Sequence, residues 1–137
     1  MFWNRYFLPS FLVLVLVAVL HWIASDQGYY WTVNWYDYMM HFLGGAWVAL
    51  FTLWASETPY GAFLRPHMTP KKLIAFAFAV GIAWELLELA LGFSDPNMPG
   101  YAWDTTHDLI MDVVGASAAL YFSRKHMKPS ASNPSLS

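Results

Sequence analysis

An apolar run near the start of the chain constrains the fold most. Residues 7–24 carry no acidic or basic side chain except His21. A helix needs about 20 mostly apolar residues to cross a bilayer, so this run predicts a transmembrane helix. Three further apolar stretches of similar length follow, at 36–56, 72–93 and 103–122. The sequence therefore predicts an all-α, polytopic integral membrane protein with four transmembrane helices.

The predicted helices form one domain, residues 1–127, and the Ser- and Pro-rich segment 128–137 is expected to be a disordered tail. Composition excludes other classes: 58% of the residues are hydrophobic, only 12% are charged, and there is no cysteine. Disulfides, thiolate metal sites and cysteine nucleophiles are therefore excluded. The formal net charge of −2 leaves no basic excess, so we expect no nucleic-acid partner.

The basic residues predict the orientation of the chain. With four spans, every Lys and Arg falls on one side of the membrane: Arg5, Arg65, Lys71, Lys72, Arg124, Lys125 and Lys128. Short cytoplasmic loops are enriched in such residues, so both termini are predicted to be cytoplasmic. Aromatic residues would form a belt at the outer interface: Tyr29, Tyr30, Trp31, Trp35, Tyr36, Tyr38, Tyr101 and Trp103. A cleaved signal peptide remains the alternative interpretation of the first run.

Ionisable side chains within the predicted spans mark the candidate site, because such groups are costly in a membrane. At 100° per residue they form one polar face on each of three helices, together with glycines that permit close packing. These faces comprise Asp37, His41 and Gly44; Gly81, Glu85, Glu88 and Gly92; and Asp104, Asp108, Asp112 and Gly115. The rise per residue places most of these polar groups at similar depths, in the outer half of the membrane.

Such a cluster requires a compensating charge, and no Lys or Arg lies within these spans except Lys72, the first residue of the stretch 72–93. The compensation would come from protonated histidine, retained protons or a bound cation. Oxygen ligands suit Mg²⁺, Mn²⁺ or Ca²⁺, and an imidazole also admits Zn²⁺ and Fe²⁺. We predict a divalent metal ion of unassigned identity, held by Asp37, His41, Glu85 and Asp108. Glu88 and Asp112 would act as general base or orient a ligand.

Structural interpretations stand beside this prediction. Asp37 would equally cap or begin a helix, and Asp104 is the stronger candidate for a cap, together with Thr105. The paired carboxyls would otherwise be protonated acids bonded across helices, and His41 would only donate to a carboxylate. We expect His21 and His107 at the membrane interface. Trp84 and Trp103 adjoin the polar faces and would wall a lipid cavity.

Three segments carry a family resemblance: YDYMMHFLGG (36–45), WELLELALGF (84–93) and WDTTHDLIMDVVGA (103–116). They resemble signature segments of the YjdF-like bacterial inner-membrane proteins and, more distantly, of the VanZ-like family. The matched positions are Asp37, His41, Glu85, Glu88, Asp104, Asp108 and Gly115, whereas Asp112 rests on spacing alone. The resemblance implies a site in a bacterial cytoplasmic membrane. It implies no established reaction, although VanZ-like members are associated with glycopeptide-antibiotic resistance at the cell envelope.

Two classes of function follow from these predictions. The first is a metal-dependent hydrolase or transferase that acts on a membrane lipid headgroup or an isoprenoid-phosphate, where the metal would bind the anionic group and activate water. The second is a non-catalytic protein for proton- or cation-coupled transport or for lipid binding. Transport would favour a homo-oligomer, because four spans are few for a transporter. A purely structural polar core is the remaining interpretation.

Overall fold

A computed structural model describes residues 3–127 of the chain. Within this range the fold is entirely helical, with five α-helices and one 3₁₀ helix. The helices are α1 (Phe7–Gln27), α2 (Tyr29–Thr32), α3 (Tyr36–Ser56), the 3₁₀ helix (Ala62–His67), α4 (Pro70–Leu91) and α5 (Tyr101–His126). The four long helices occupy the four predicted stretches. The tail predicted at 128–137 lies outside the described residues.

Three of the described helices, α1, α3 and α4, are long and apolar enough to cross a membrane. The fourth long helix, α5, is not among them although it has 26 residues. Its polar face explains the difference, because Asp104, Asp108 and Asp112 make it less apolar than its neighbours. These three helices are the candidate membrane spans of the protein.

Local signals at the helix ends account for their boundaries. Pro70 opens α4 and does not belong to the preceding loop, since proline suits the first helical position. The Thr69 side chain caps this end by accepting from the Lys72 amide at 3.4 Å. Gly92 ends α4 with a φ of 74°, so it does not lie on the polar helical face where the sequence placed it.

Helix α3 is central and packs against α1, α4 and α5. Its closest approach is to α5 and depends on two glycines. A methyl group at Gly45 would overlap the backbone carbonyl of Asp112, and one at Gly115 would overlap the carbonyl of Phe42. The two helix backbones therefore touch where the polar faces of α3 and α5 meet. Small residues at this contact bring His41 and Asp112 together.

Helix α1 lies at the edge of the bundle and exposes a broad apolar surface. Tyr36 joins it to α3, because its hydroxyl donates to the Leu20 carbonyl at 2.9 Å. Only 6% of Tyr36 is exposed, so it is a packing residue and the prediction that it anchors the membrane interface was wrong. Trp31, Trp35 and Trp103 are 62–76% exposed, as a belt of anchors requires.

Arg5 links three helices at the end of the bundle opposite Tyr36. Its Nε donates to Glu57 Oε1 at 3.1 Å, just beyond the end of α3, and its Nη1 donates to the Met127 carbonyl at 2.7 Å, just beyond α5. One side chain therefore ties the start of α1 to the ends of two other helices.

Candidate metal centre

His41 lies in the middle of a group of carboxylates and is only 6% exposed. Its Nδ1 is 3.2 Å from Asp112 Oδ2, and its Nε2 is 3.5 Å from Glu85 Oε1 and 3.9 Å from Asp37 Oδ1. These three carboxylates come from α5, α4 and α3 respectively. The predicted convergence of three helices therefore occurs around one imidazole.

Asp108 completes this group, which we call the His41 cluster: Asp37, His41, Glu85, Asp108 and Asp112. One ligand atom from each of Asp37, His41 and Asp108 lies within 4.8 Å of the other two. Neighbouring ligands are about 3.3 Å apart on a tetrahedral Zn²⁺ ion and about 2.9 Å apart on an octahedral Mg²⁺ ion. The three side chains would therefore have to move closer together to contact one ion.

Two oxygens of the cluster lack a hydrogen-bond partner. Glu85 Oε1 and Asp108 Oδ1 are buried and unpartnered within residues 3–127, and the third such side-chain atom, Trp47 Nε1, does not belong to the cluster. Glu85 is 6% exposed and Asp108 is 3% exposed. An ionised carboxylate only accepts, so each of these oxygens requires a donor, a cation or a proton of its own.

The cluster holds more acidic groups than basic ones. Four carboxylates surround one imidazole, and His41 is the only basic side chain within ion-pair distance of them in the described chain. Burial of uncompensated charge is costly. Asp37 differs from the other members because 30% of its side chain is exposed, so it connects the cluster to the outside of the bundle.

Asp112 contacts the ring nitrogen of His41 that faces away from Asp37 and Glu85. When an imidazole binds metal through one nitrogen, a carboxylate on the other fixes the tautomer and the ring orientation. Of the two roles predicted for Asp112, the contact to Nδ1 fits the orienting role. The ring then presents Nε2 to Asp37 and Glu85.

Glu88, the other predicted general base, accepts hydrogen bonds from residues outside the His41 cluster. It accepts from Trp84 Nε1 at 2.8 Å and from Ser94 Oγ at 3.2 Å, and it is partly exposed. The structure therefore places Glu88 and Trp84 together, one turn of α4 from Glu85 and outside the His41 cluster.

The expected caps differ from the structure. The N-cap residues of α3 and α5 are Trp35 and Gly100, and neither helix has a side-chain cap. Asp37 and Asp104 lie in the first helical turns, where a negative charge suits the helix dipole. The prediction of Asp104 as a cap was therefore wrong. Its exposed carboxylate accepts from the Tyr38 hydroxyl at 3.1 Å.

The remaining histidines make local contacts. His107 Nδ1 lies 2.8 Å from the Trp103 carbonyl one turn earlier, and its ring packs against the Trp103 indole. His21 Nδ1 lies 2.8 Å from the Tyr30 hydroxyl. Neither histidine belongs to the His41 cluster.

Sequence reasoning did not assign a ligand-supporting role to Thr105. Its hydroxyl donates to Glu85 Oε2 at 3.0 Å, so one oxygen of Glu85 is held while the other points to His41. The spacing between Thr105 and Asp112 in the sequence could have indicated this role. Thr105 precedes Asp112 by seven residues, which places both side chains within about 20° on the helix. A hydroxyl on the polar face was as informative as the carboxylates.

Comparison with known proteins gives one family. The family described as "Predicted membrane protein (DUF2238)" matches residues 3–128. No curated protein and no solved structure matches the chain. The resemblance to YjdF-like proteins is consistent with this family, whereas the resemblance to VanZ-like proteins stays a prediction. Because the match extends over nearly all of the sequence, the chain belongs to the DUF2238 family of predicted membrane proteins.

Proposed function

We propose that the His41 cluster binds one divalent metal ion within the membrane. The observation that carries this proposal is the pair of buried, unpartnered oxygens, Glu85 Oε1 and Asp108 Oδ1, beside His41. The proposed ligands are Asp37, His41, Glu85 and Asp108. A set of three carboxylates and one imidazole suits Mn²⁺, Fe²⁺ or Zn²⁺, and Mg²⁺ if the imidazole remains outside the coordination sphere.

The proposed topology has four spans, with α5 as the fourth and both termini in the cytoplasm. The basic residues support it, because the four-span arrangement places all seven on one side. Acidic residues are costly in a span that faces lipid. The polar face of α5 packs against α3, however, so Asp108 and Asp112 are buried in protein. The proposed location is the bacterial cytoplasmic membrane, with the cluster in the outer half.

The proposed activity is that of a metal-dependent hydrolase or transferase acting on a lipid headgroup or an isoprenoid-phosphate. A divalent ion would supply Lewis-acid polarisation of a phosphoryl oxygen. The protein contributes the remaining parts. Asp37 lies at the accessible edge of the cluster, Asp112 orients His41, and Glu88 is the nearby partly exposed carboxylate on α4 that would accept a proton.

Proton or cation relay is the second candidate function. The supporting observation is the continuous series Asp112, His41 and Glu85, in which each ring nitrogen faces a carboxylate on a different helix. Such a series resembles the acid and histidine chains of pumps. It requires protons on the carboxylates in place of a metal, so metal binding separates the two functions.

The test is metal binding by the detergent-purified full chain. The protein is stripped with chelator, dialysed to equilibrium against Mn²⁺ or Zn²⁺, and analysed by elemental mass spectrometry. We compare wild type with Asp108→Asn, which keeps the shape of the side chain and removes its charge. Asp26→Asn is the matched control, because Asp26 is an exposed aspartate near the end of α1, outside the cluster.

We expect about one metal per chain in wild type and in Asp26→Asn, and a loss of more than about 100-fold in affinity in Asp108→Asn, because loss of a ligand costs more than loss of a partner that only orients one. Equal binding by all three proteins would contradict the proposal, as would no binding by a folded wild-type protein. Absence of metal from a folded wild-type protein would favour the proton or cation relay. Circular dichroism of each preparation shows whether the protein is folded.

A further inference from the structure

A second feature lies at the other end of the helices, away from the His41 cluster. An apolar groove of about 530 Å³ runs between α3, the 3₁₀ helix and α4. Trp47, Phe51, Leu64 and Phe76 contribute to its walls. Its volume lies within the roughly 300–1,000 Å³ typical of ligand pockets. The α3 residues that line it follow His41 toward the C-terminal end of that helix, so groove and cluster are separate sites.

The rim of the groove is basic. Lys72 and His67 both line it, and the Lys72 ammonium lies 3.4 Å from His67 Nδ1. An ammonium group only donates, so Nδ1 accepts and the His67 Nε2 carries a proton that it can donate. No carboxylate is among the described residues that line the groove. The positive end of the α4 dipole begins at the adjacent Pro70.

We propose that this groove binds one anionic phospholipid, with an acyl chain between α3 and α4 and the phosphate against Lys72 and His67. Charge complementarity carries the choice of occupant, because an apolar slot with two donors at its mouth fits an anionic amphiphile. Basic pockets between transmembrane helices on the cytoplasmic side bind anionic headgroups in the same way. The leaflet depends on the proposed topology, whereas the preference for an anionic lipid does not.

The proposal is tested by native mass spectrometry of the detergent-purified full chain. The protein is titrated with phosphatidylglycerol or with phosphatidylcholine carrying identical acyl chains. The variant Lys72→Gln removes the charge from the rim. The control variant is Lys125→Gln, which removes one exposed lysine from α5, where Lys125 lies over the Tyr121 ring. Ala55→Leu narrows the groove without changing any charge.

We expect wild type and Lys125→Gln to bind phosphatidylglycerol more tightly than phosphatidylcholine. Lys72→Gln should reduce that preference on the order of fivefold. Ala55→Leu should weaken both lipids and leave their ratio unchanged.

Equal binding of the two lipids by wild type would overturn the proposal, and so would an unchanged preference in Lys72→Gln. A lipid-free dimer that Ala55→Leu dissociates would assign the groove to a second copy of the chain and would also overturn it. None of these outcomes bears on metal binding by the His41 cluster, because none of the three variants changes a residue of that cluster.

Discussion

The imidazole of His41 meets carboxylates through both of its nitrogens, and the two contacts have different consequences. Nε2 faces Asp37 and Glu85 at 3.9 and 3.5 Å, whereas Nδ1 lies within hydrogen-bond distance of Asp112 at 3.2 Å. Only Nε2 is therefore free to bind metal. At the scale of the residue, Asp112 is a positioning residue for His41.

The variant Asp112→Asn tests this role. We expect metal affinity to fall 10–100-fold while one metal per chain still binds at saturation, because the ligands remain but His41 loses its charged partner. Calorimetric titration of the stripped protein measures both quantities. Asp108→Asn serves as the comparison, since there we expect a ligand to be lost.

An affinity equal to that of wild type would show that Asp112 does not orient His41. A loss as complete as that in Asp108→Asn would instead make Asp112 a ligand. Thr105→Val adds a second check, because it removes the hydrogen bond to Glu85 Oε2 at nearly constant volume. Its effect should be smaller than that of Asp112→Asn, since the hydroxyl is a neutral donor.

Helical spacing predicted which residues of the cluster share a face, because side-chain direction follows directly from 100° per residue. It did not predict the partner of each group. Glu88 lies near the face of Glu85, yet Trp84 on its own helix and Ser94 in the following turn provide its hydrogen bonds. Such competition depends on loop geometry and rotamers, which periodicity does not contain.

At the scale of the helix, the contact between α3 and α5 sets the geometry of the cluster. The sequence predicted close packing through Gly44 and Gly115. The structure assigns the tight contact to Gly45 and Gly115, whereas a methyl at Gly44 would lie an ordinary 3.9 Å from Asp112 Oδ1. One residue on a helix is a rotation of 100°, and the exact register of two packed helices cannot be read from periodicity.

The neighbouring glycines provide a matched pair of variants. Gly45→Ala should destabilise the protein by about 1–3 kcal/mol, because the added methyl overlaps the Asp112 backbone. Gly44→Ala should be neutral or stabilising by up to about 1 kcal/mol, since alanine favours the helix and meets no obstacle. Unfolding in mixed detergent, followed by circular dichroism, measures both.

The reverse order of stability would contradict the packing described for α3 and α5. Metal affinity adds an independent readout of the same contact. Separation of the two backbones moves Asp112 away from His41, so Gly45→Ala should weaken metal binding and Gly44→Ala should not.

At the scale of the whole molecule, the sequence predicted all four long helices. The α5 helix is the informative case, because its aspartates reduce its apolarity and yet two of them are buried. A helix whose polar face packs against other helices resembles a soluble one in composition. Hydropathy alone therefore identifies three candidate spans, and the proposal of a fourth is supported by the charge distribution of the loops.

The absence of native cysteine allows the topology to be tested with single cysteines. We choose Asn97→Cys in the turn between α4 and α5 and Ala62→Cys between α3 and α4, both at exposed positions. The outer membrane is removed and the inner membrane is left intact. An impermeant maleimide should then label the Asn97→Cys variant and not the Ala62→Cys variant. Permeabilised cells should label both, which controls for reactivity.

Labelling at 62 alone in intact cells would invert the proposed orientation. Labelling of both sites in intact cells would place the two loops on the same side and contradict the four-span topology. Ser25→Cys, at the exposed end of α1, should follow the pattern of Asn97→Cys because both lie on the same side in this arrangement.

The contacts of Arg5 impose an order on biogenesis. Arg5 leaves the ribosome early, whereas the Met127 carbonyl to which it donates is synthesised 122 residues later. Its other partner, Glu57, becomes available at an intermediate time. The first and second long helices can therefore pair while synthesis continues, but Arg5 can complete its contacts only after α5 has been synthesised and has packed against α3. Until then, the Arg5 guanidinium of a nascent chain lacks the Met127 carbonyl as an acceptor.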